Sequence, residues 1–214
     1  CLDYFEKHPK VAQIVMSSVY LNTWRRQETF KNPVLFGTFM KVLAEGRAKG
    51  SRRIQVEPHL SVTGATANKW VPIKPETDHA FLYAMIHTIL YEMDWHKVCD
   101  IDFLKNMTNS PYLVAPNGFF VRDKETRKPL IWDLVDNKAR IFDADGIKDF
   151  ALEGEYLVDG ITVGPDEEIQ EIKGEKTKPS FQLLLEHMES FNADWASGIC
   201  EIPADTIRAI AAEF

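Results

Sequence analysis

Apolar residues recur in two rhythms along this chain, and the change of rhythm falls near residue 95. Before it, short apolar runs alternate with helically spaced ones. Val11-Ala-Gln-Ile-Val-Met16 is a short apolar run suited to a buried parallel strand. A polar, aromatic loop with Asn22, Trp24, Arg25 and Arg26 follows, and Pro33 opens a helix. That helix carries Leu35, Phe39, Val42 and Leu43 on its inner side and has Gly50 as its C-cap. Arg53-Ile-Gln-Val-Glu57 is a second strand stopped by Pro58, and Lys69-Trp-Val-Pro-Ile73 is a short third one. Asp78 is then read as the cap of a helix with Phe81, Ala84, Met85, Thr88 and Ile89 at helical spacing. Leu82, Ile86 and Leu90 widen that apolar face, which predicts burial on more than one side.

After Trp95 the pattern loosens. Residues 100–108 read as a short helix. From Pro111 to Pro179, β-prone runs alternate with turn signals at Pro116-Asn-Gly118, Asp145-Gly146, Asp159-Gly160 and Gly164-Pro165. Helical patterning returns at Ser180–Phe191, and Ile207, Ile210, Ala211 and Phe214 follow i, i+3, i+4, i+7 spacing. The expected organisation is an α/β domain over residues 1–94, a loop- and hairpin-rich excursion over 95–178, and a helical segment over 179–214 that returns to the α/β domain.

Composition narrows the function classes. The 214 residues are 45% hydrophobic and 27% charged, an ordinary globular balance. A net charge of −7 argues against a nucleic-acid partner, which needs a basic stripe. Cys1, Cys99 and Cys200 are far apart and show no CxxC spacing, and the six histidines form no paired metal motif, so no metal ligand is assigned. No run of eighteen apolar residues occurs, which predicts no direct membrane insertion. A start without Met and a stop at Phe214 inside a helical pattern lead to the expectation of a piece of a larger protein.

The candidate chemistry lies between Glu57 and Asp78. Ligands of doubly wound sheets sit beyond the carboxyl ends of the strands. A carboxylate ending the second strand, Glu57, is placed to accept hydrogen bonds from ribose hydroxyls. Asp78, at a helix N-terminus, can cap its own helix or accept two parallel bonds from a planar donor pair. Guanine offers such a pair and adenine does not. Taken singly, each residue has a plainer role, as a helix cap or a solvated strand end. No G-x-G-x-x-G follows the first strand, which ranks a nicotinamide-dependent enzyme last.

Three regions resemble one family. Ala67-Asn-Lys-Trp-Val-Pro-Ile73 is similar to Ala-Asp-x-Trp-hydrophobic-Pro-Ile of the molybdopterin oxidoreductases of the dimethyl sulfoxide reductase type. Asp102-Phe-Leu104 resembles that family's Asp-x-Phe-Leu, with one residue fewer. The run from Asn192 to Phe214 resembles its Tyr-x-Pro-Glu-Trp-Ala … Ile-x-Gly-Val-Pro-Ala-x-x-Ile-Arg-x-Ile-Ala-x-Glu-Phe. The order and spacing run from about residue 10 to the end. The resemblance implies a Rossmann-like three-layer α/β sheet domain with a hairpin-rich excursion and C-terminal helices. It implies a parent enzyme carrying molybdenum or tungsten on bis-molybdopterin guanine dinucleotide, performing two-electron redox or oxygen-atom transfer on a small substrate. An iron–sulfur cluster would lie only in the missing part of that parent. The implied partners are the remaining chain of the parent and its electron-transfer subunit. A prokaryotic periplasm and cytoplasm both stay open as compartments.

Residue by residue, the resemblance implies cofactor contacts at Asn22, Glu57, His59, Lys74, Thr77 and Asp78, and no catalytic residue in this stretch. The acid and arginine of the family's Val-Asp-Pro-Arg correspond to Glu57 and His59, and its Thr-Asp pair to Thr77 and Asp78. Five positions depart from the pattern. Glu57 for Asp moves the carboxylate by roughly one bond length. His59 for Arg loses a bidentate fork, Lys74 for Arg keeps charge without planarity, and Asn68 replaces an Asp. Glu76 replaces a Gly, at a cost of about 1 kcal/mol if that position requires positive φ. These departures support an alternative, a non-catalytic binding or interaction domain on the same scaffold that has lost the cofactor.

Overall fold

Strands separated by more chain than a hairpin turn needs can pair in parallel, and the first three do. The structure, a computed structural model, describes residues 13–16, 41 and 44–214, the first four as a strand only. β1 (Gln13–Met16), β2 (Arg53–Val56) and β3 (Lys69–Val71) form a parallel sheet in that spatial order. Gln13 pairs with Arg53 and Met16 with Val56, while Ile54 pairs with Lys69 and Val56 with Val71. β2 is central, so Ile54, Gln55 and Val56 are all buried, the continuous burial expected of a parallel inner strand.

The loop Asn22–Arg26 and the Pro33 helix start lie outside the described residues. Residues 44–48 are helical, and Gly50 closes that helix with φ +94. Ser51 N donates to Gly46 O and Gly50 N to Arg47 O, the paired bonds of a Schellman cap. A side chain at that φ would be strained, so glycine is the residue that lets the chain reverse into β2.

β2 leads through a one-turn helix α1 (Val62–Ala65) to β3, and the chain then enters α2 (Asp78–His87) and a π-helical turn (Thr88–Glu92). The expected cap is displaced by one residue: Thr77 is the N-cap, and Asp78 is the first helical residue. Ala80, Phe81, Ala84 and Met85 are buried, and so is Leu90 in the π-helical turn; of the residues expected to widen this face, Ile86 is half-buried and Leu82 is exposed. The same compact unit takes in Phe191–Phe214, with α6 (Ala193–Cys200) and α7 (Ala204–Glu213) packed on α2. Ile54, Val56 and Val71 from the sheet join Phe81, Ala196, Cys200, Ile207 and Ile210 in one core.

A second unit runs from Asp94 to Ser190. It opens with α3 (Trp95–Val98), which the sequence pattern did not reveal, and α4 (Ile101–Met107), capped by Asp100 accepting from Phe103 N. Its strands are β4 (Leu113–Val114), β5 (Leu130–Asp133), β6 (Lys138–Ile141), β7 (Tyr156–Val163) and β8 (Ile169–Pro179), and α5 (Ser180–Met188) ends it. β5–β6 and β7–β8 are antiparallel hairpins, and β4 pairs with β8. Leu113, Val121, Leu130, Val158 and Ile172 form its core.

One expected turn is not a turn. Asp159-Gly160 lies inside β7, at a register shift between Val158 and Gly160. Gly160 is needed for close approach: a Cβ there would stand 2.7 Å from Val121 Cγ1 and 2.8 Å from Arg122 O. The hairpin reverses instead after Val163, where Gly164 N donates to Glu168 O. Among the described residues, no helix is long and apolar enough to cross a membrane.

Candidate functional site

Because β1, β2 and β3 are parallel, their carboxyl ends lie at one end of the sheet. β2 delivers Glu57 there, and β3 continues through Pro72 and Ile73 to Lys74 and the start of α2. Glu57 N donates to Val71 O at 3.2 Å, which extends the pairing of the two strands by one residue. Five of the six sequence-predicted residues are thus on two neighbouring connections; Asn22 lies outside the described residues.

Glu57 is not a solvated strand end. It is 2% exposed, and Oε1 accepts from Ser61 N at 2.7 Å while Oε2 accepts from Gln55 Nε2 at 3.3 Å. Ser61 in turn caps α1, its hydroxyl oxygen accepting from Gly64 N at 3.1 Å. The buried carboxylate therefore fixes the β2–α1 turn. A buried acceptor left without its donor costs about 1–3 kcal/mol, so these bonds hold the turn firmly. Gly64 is buried against the same carboxylate, and a Cβ there would overlap Oε1. Ser61, Gln55 and Gly64 were not singled out from the sequence; a small residue soon after a strand-ending acid was the only trace of the arrangement.

His59 is exposed on this turn. Arg47 and Arg53, at the amino end of β2, are occupied. Arg53 Nη2 donates to Thr63 O at 3.1 Å and to Thr66 Oγ1 at 2.5 Å, and Arg47 Nη1 donates to Thr66 O at 3.2 Å. Burial first, and then the charge of Arg47, lower the pKa of Arg53 from the ordinary arginine value. Asn68 Oδ1 accepts from Arg53 N at 2.8 Å, so Asn68 serves the entry to β2. Both arginines brace α1 rather than stand open to an anion.

The β3–α2 connection is built differently. Lys74 N donates to Cys200 O at 3.1 Å, and Lys74 Nζ lies 3.2 Å from Glu201 Oε1. Thr77 turns its hydroxyl back to Lys74 O at 2.7 Å instead of capping α2. Between them Glu76 has φ +67, so the position does require left-handed backbone. Glu201 shares that conformation, at φ 62, where it ends α6. Asp78 is half-buried in the first turn of α2, and its carboxylate has no protein hydrogen-bond or ion-pair partner among the described residues. Capping, the plainer explanation for an acid here, does not account for Asp78. The adjoining Cys200 is fully buried, and burial raises its thiol pKa, which suits a core residue and not a nucleophile.

The arrangement can offer a free carboxylate at a helix start, the Glu201-paired ammonium of Lys74 on the same connection, and backbone N–H groups of the first turn of α2. Among the described residues it has no nucleophile–base pair. The second unit holds a separate cleft of about 590 Å³ with Tyr112, Ile131, Phe142 and Phe150 among its walls. None of the sequence-predicted residues lines it.

No family model matches the chain. Over 181 residues, 80% of its length, it is 36% identical to a sulfite dehydrogenase subunit of Allochromatium vinosum, covering 17% of that protein. It is 29% identical over 128 residues, 56% of its length, to the putative dimethyl sulfoxide reductase catalytic subunit of Halobacterium salinarum, covering 15% of it. Over 68 residues, 31% of its length, it is 37% identical to the molybdopterin-containing subunit of the arsenate respiratory reductase of a Shewanella species, covering 8% of it. The chain thus spans less than a fifth of each of these relatives.

Proposed function

The chain belongs to the molybdopterin oxidoreductases of the dimethyl sulfoxide reductase type, and we propose that its first unit is the part of such an enzyme that grips the guanosine end of molybdopterin guanine dinucleotide. The observation that carries this reading is the partnerless carboxylate of Asp78 in the first turn of α2, beyond the carboxyl ends of a parallel sheet. A carboxylate left uncapped at that place fits a planar pair of donors, the ring N–H and amino group of guanine. The parallel order of β1, β2 and β3 supports a Rossmann-like three-layer arrangement around it.

In this reading Asp78 accepts the two guanine donors, and Thr77 holds the helix start in register through its bond to Lys74 O. Lys74 and the exposed His59 supply positive charge toward phosphate, with Asn22 contributing from the β1 connection. A ribose hydroxyl goes to Glu57 Oε2 in exchange for the 3.3 Å bond from Gln55. The bound group would bring molybdenum or tungsten to the parent enzyme for two-electron redox or oxygen-atom transfer on a small substrate. Nothing in the described first unit performs that chemistry; its residues bind and orient. The remainder of the parent would hold the metal ligand and any iron–sulfur cluster, and an electron-transfer subunit would exchange electrons with it.

A second reading is favoured by the inward Glu57, the Lys74–Glu201 pair and the strained Glu76: a binding domain on the same scaffold without the cofactor. Thermal unfolding of the full chain with GMP, GDP and AMP separates the two. Guanine-selective stabilisation that disappears in Asp78→Asn is expected. No stabilisation at millimolar guanine nucleotide assigns the second reading.

A further inference from the structure

Glu201 occupies Lys74, the cation of the β3–α2 connection, four residues before Asp78 in the chain. Its Oε1 lies 3.2 Å from Lys74 Nζ, and the contact is reinforced next door by the bond from Lys74 N to Cys200 O. The two residues are therefore held together by backbone as well as by charge. Arg47 and Arg53 are bonded to α1, and Arg53 begins β2, at the opposite end of the strands from Glu57. An anion arriving at the β3–α2 connection meets Lys74 already paired, with the carboxylates of Glu76 and Asp78 close by in sequence.

We propose that Glu201 is an internal competitor for ligand phosphate: it pairs with Lys74 and lowers affinity for the phosphorylated part of a guanine nucleotide while leaving guanosine recognition at Asp78 untouched. This rests on the nucleotide reading given above. Both side chains are about half exposed or more, at 53% and 68%, so the pair is solvent-screened and its effect is modest. Exchange of Glu201 for phosphate needs no bond to be made or broken covalently. It requires only that the Lys74 ammonium turn from one oxyanion to another on its flexible stem. The left-handed backbone of Glu201 keeps its side chain at the C-terminal end of α6, so neutralising the carboxylate removes the competitor without moving the chain.

The test is calorimetric titration of the full chain with guanosine, GMP and GDP, for the wild type, Glu201→Gln, Lys74→Met and the double variant. Glu201→Gln is expected to tighten GMP and GDP by about two- to five-fold, the range of an exposed ion pair, and to leave guanosine unchanged. The gain should vanish in the Lys74→Met background. An equal gain for guanosine, no gain for GDP, or a gain that persists without Lys74 would each overturn the proposal while the nucleotide reading stands. If no variant binds guanosine or GDP, the nucleotide reading falls and the competitor role falls with it. Circular dichroism of each variant establishes that the comparison is made between folded proteins.

Discussion

Oε1 of Glu57 occupies the space where any side chain on Gly64 would begin. The carboxylate is held there by Ser61 N, and Gly64 N in turn donates to the Ser61 hydroxyl, so the three residues define the β2–α1 turn together. Gly64→Ala must displace Oε1 and break the Ser61 bond. A loss of about 1–3 kcal/mol is expected in urea unfolding. Glu57→Ala is destabilising by itself, but the double variant should lose clearly less than the sum of the two singles. Additive losses would show that the two residues do not share this space.

Glu76 has φ +67 with an exposed side chain, so its strain serves no packing purpose in this unit. Glu76→Gly should stabilise the chain by about 1 kcal/mol, and Glu76→Asn by less, since asparagine tolerates the left-handed region better than glutamate. Glu76→Ala should give no gain. Equal stability of the Gly and Ala variants would refute the strain.

Gly160 and Gly146 make different demands. Gly160→Ala drives a Cβ to 2.8 Å from the backbone oxygen of Arg122, whereas Gly146 has φ +78 with nothing within 4 Å of a Cβ. The first substitution should cost the second unit about 1–3 kcal/mol through overpacking, and the second about 1 kcal/mol through backbone strain alone. Chemical unfolding followed by tryptophan fluorescence measures both, and reversal of the order would refute the close approach.

Asp133 couples the β5–β6 hairpin to acid. Burial works against its charge, but bonds from Val135 N, Asp136 N and Arg140 outweigh that and hold the pKa below the ordinary aspartate value. A carboxyl that ionises more readily when folded stabilises the protein above its unfolded value, about 3.9, and ceases to do so as pH falls through the lower folded value. Acid unfolding of this hairpin, read from Trp132 on β5, should therefore steepen below about pH 4. In Asp133→Asn the neutral-pH stability should fall and the acid dependence should flatten.

The sequence pattern was most legible where local rules act alone. The parallel strands, the Gly50 cap and the short helix within residues 100–108 follow from periodicity and capping chemistry. Where two distant segments meet, the pattern was silent or misleading. Asp159-Gly160 has turn chemistry, yet the glycine answers to Arg122 across the sheet. Thr77 and Asp78 are both good caps, and the Thr77 bond to Lys74 O decides which of them stands outside the helix. Glu57 had the sequence of an exposed strand end, and its burial depends on Gln55, Ser61 and Gly64. The pairing of Lys74 with Glu201 joins segments that only the folded chain brings together.

The first unit closes its core with residues that are synthesised after the second unit. Phe81, Ala84 and Met85 of α2 are covered by Ala193, Ala196, Ile207 and Ile210, yet the whole of Asp94–Ser190 intervenes in the chain. A polypeptide emerging from the ribosome thus presents α2 with an uncovered apolar face until α6 and α7 appear, while the second unit has every strand of its own core in hand. Translation order therefore favours completion of the later-encoded unit before the earlier one, and leaves the core of the parallel sheet unfinished until α6 and α7 dock.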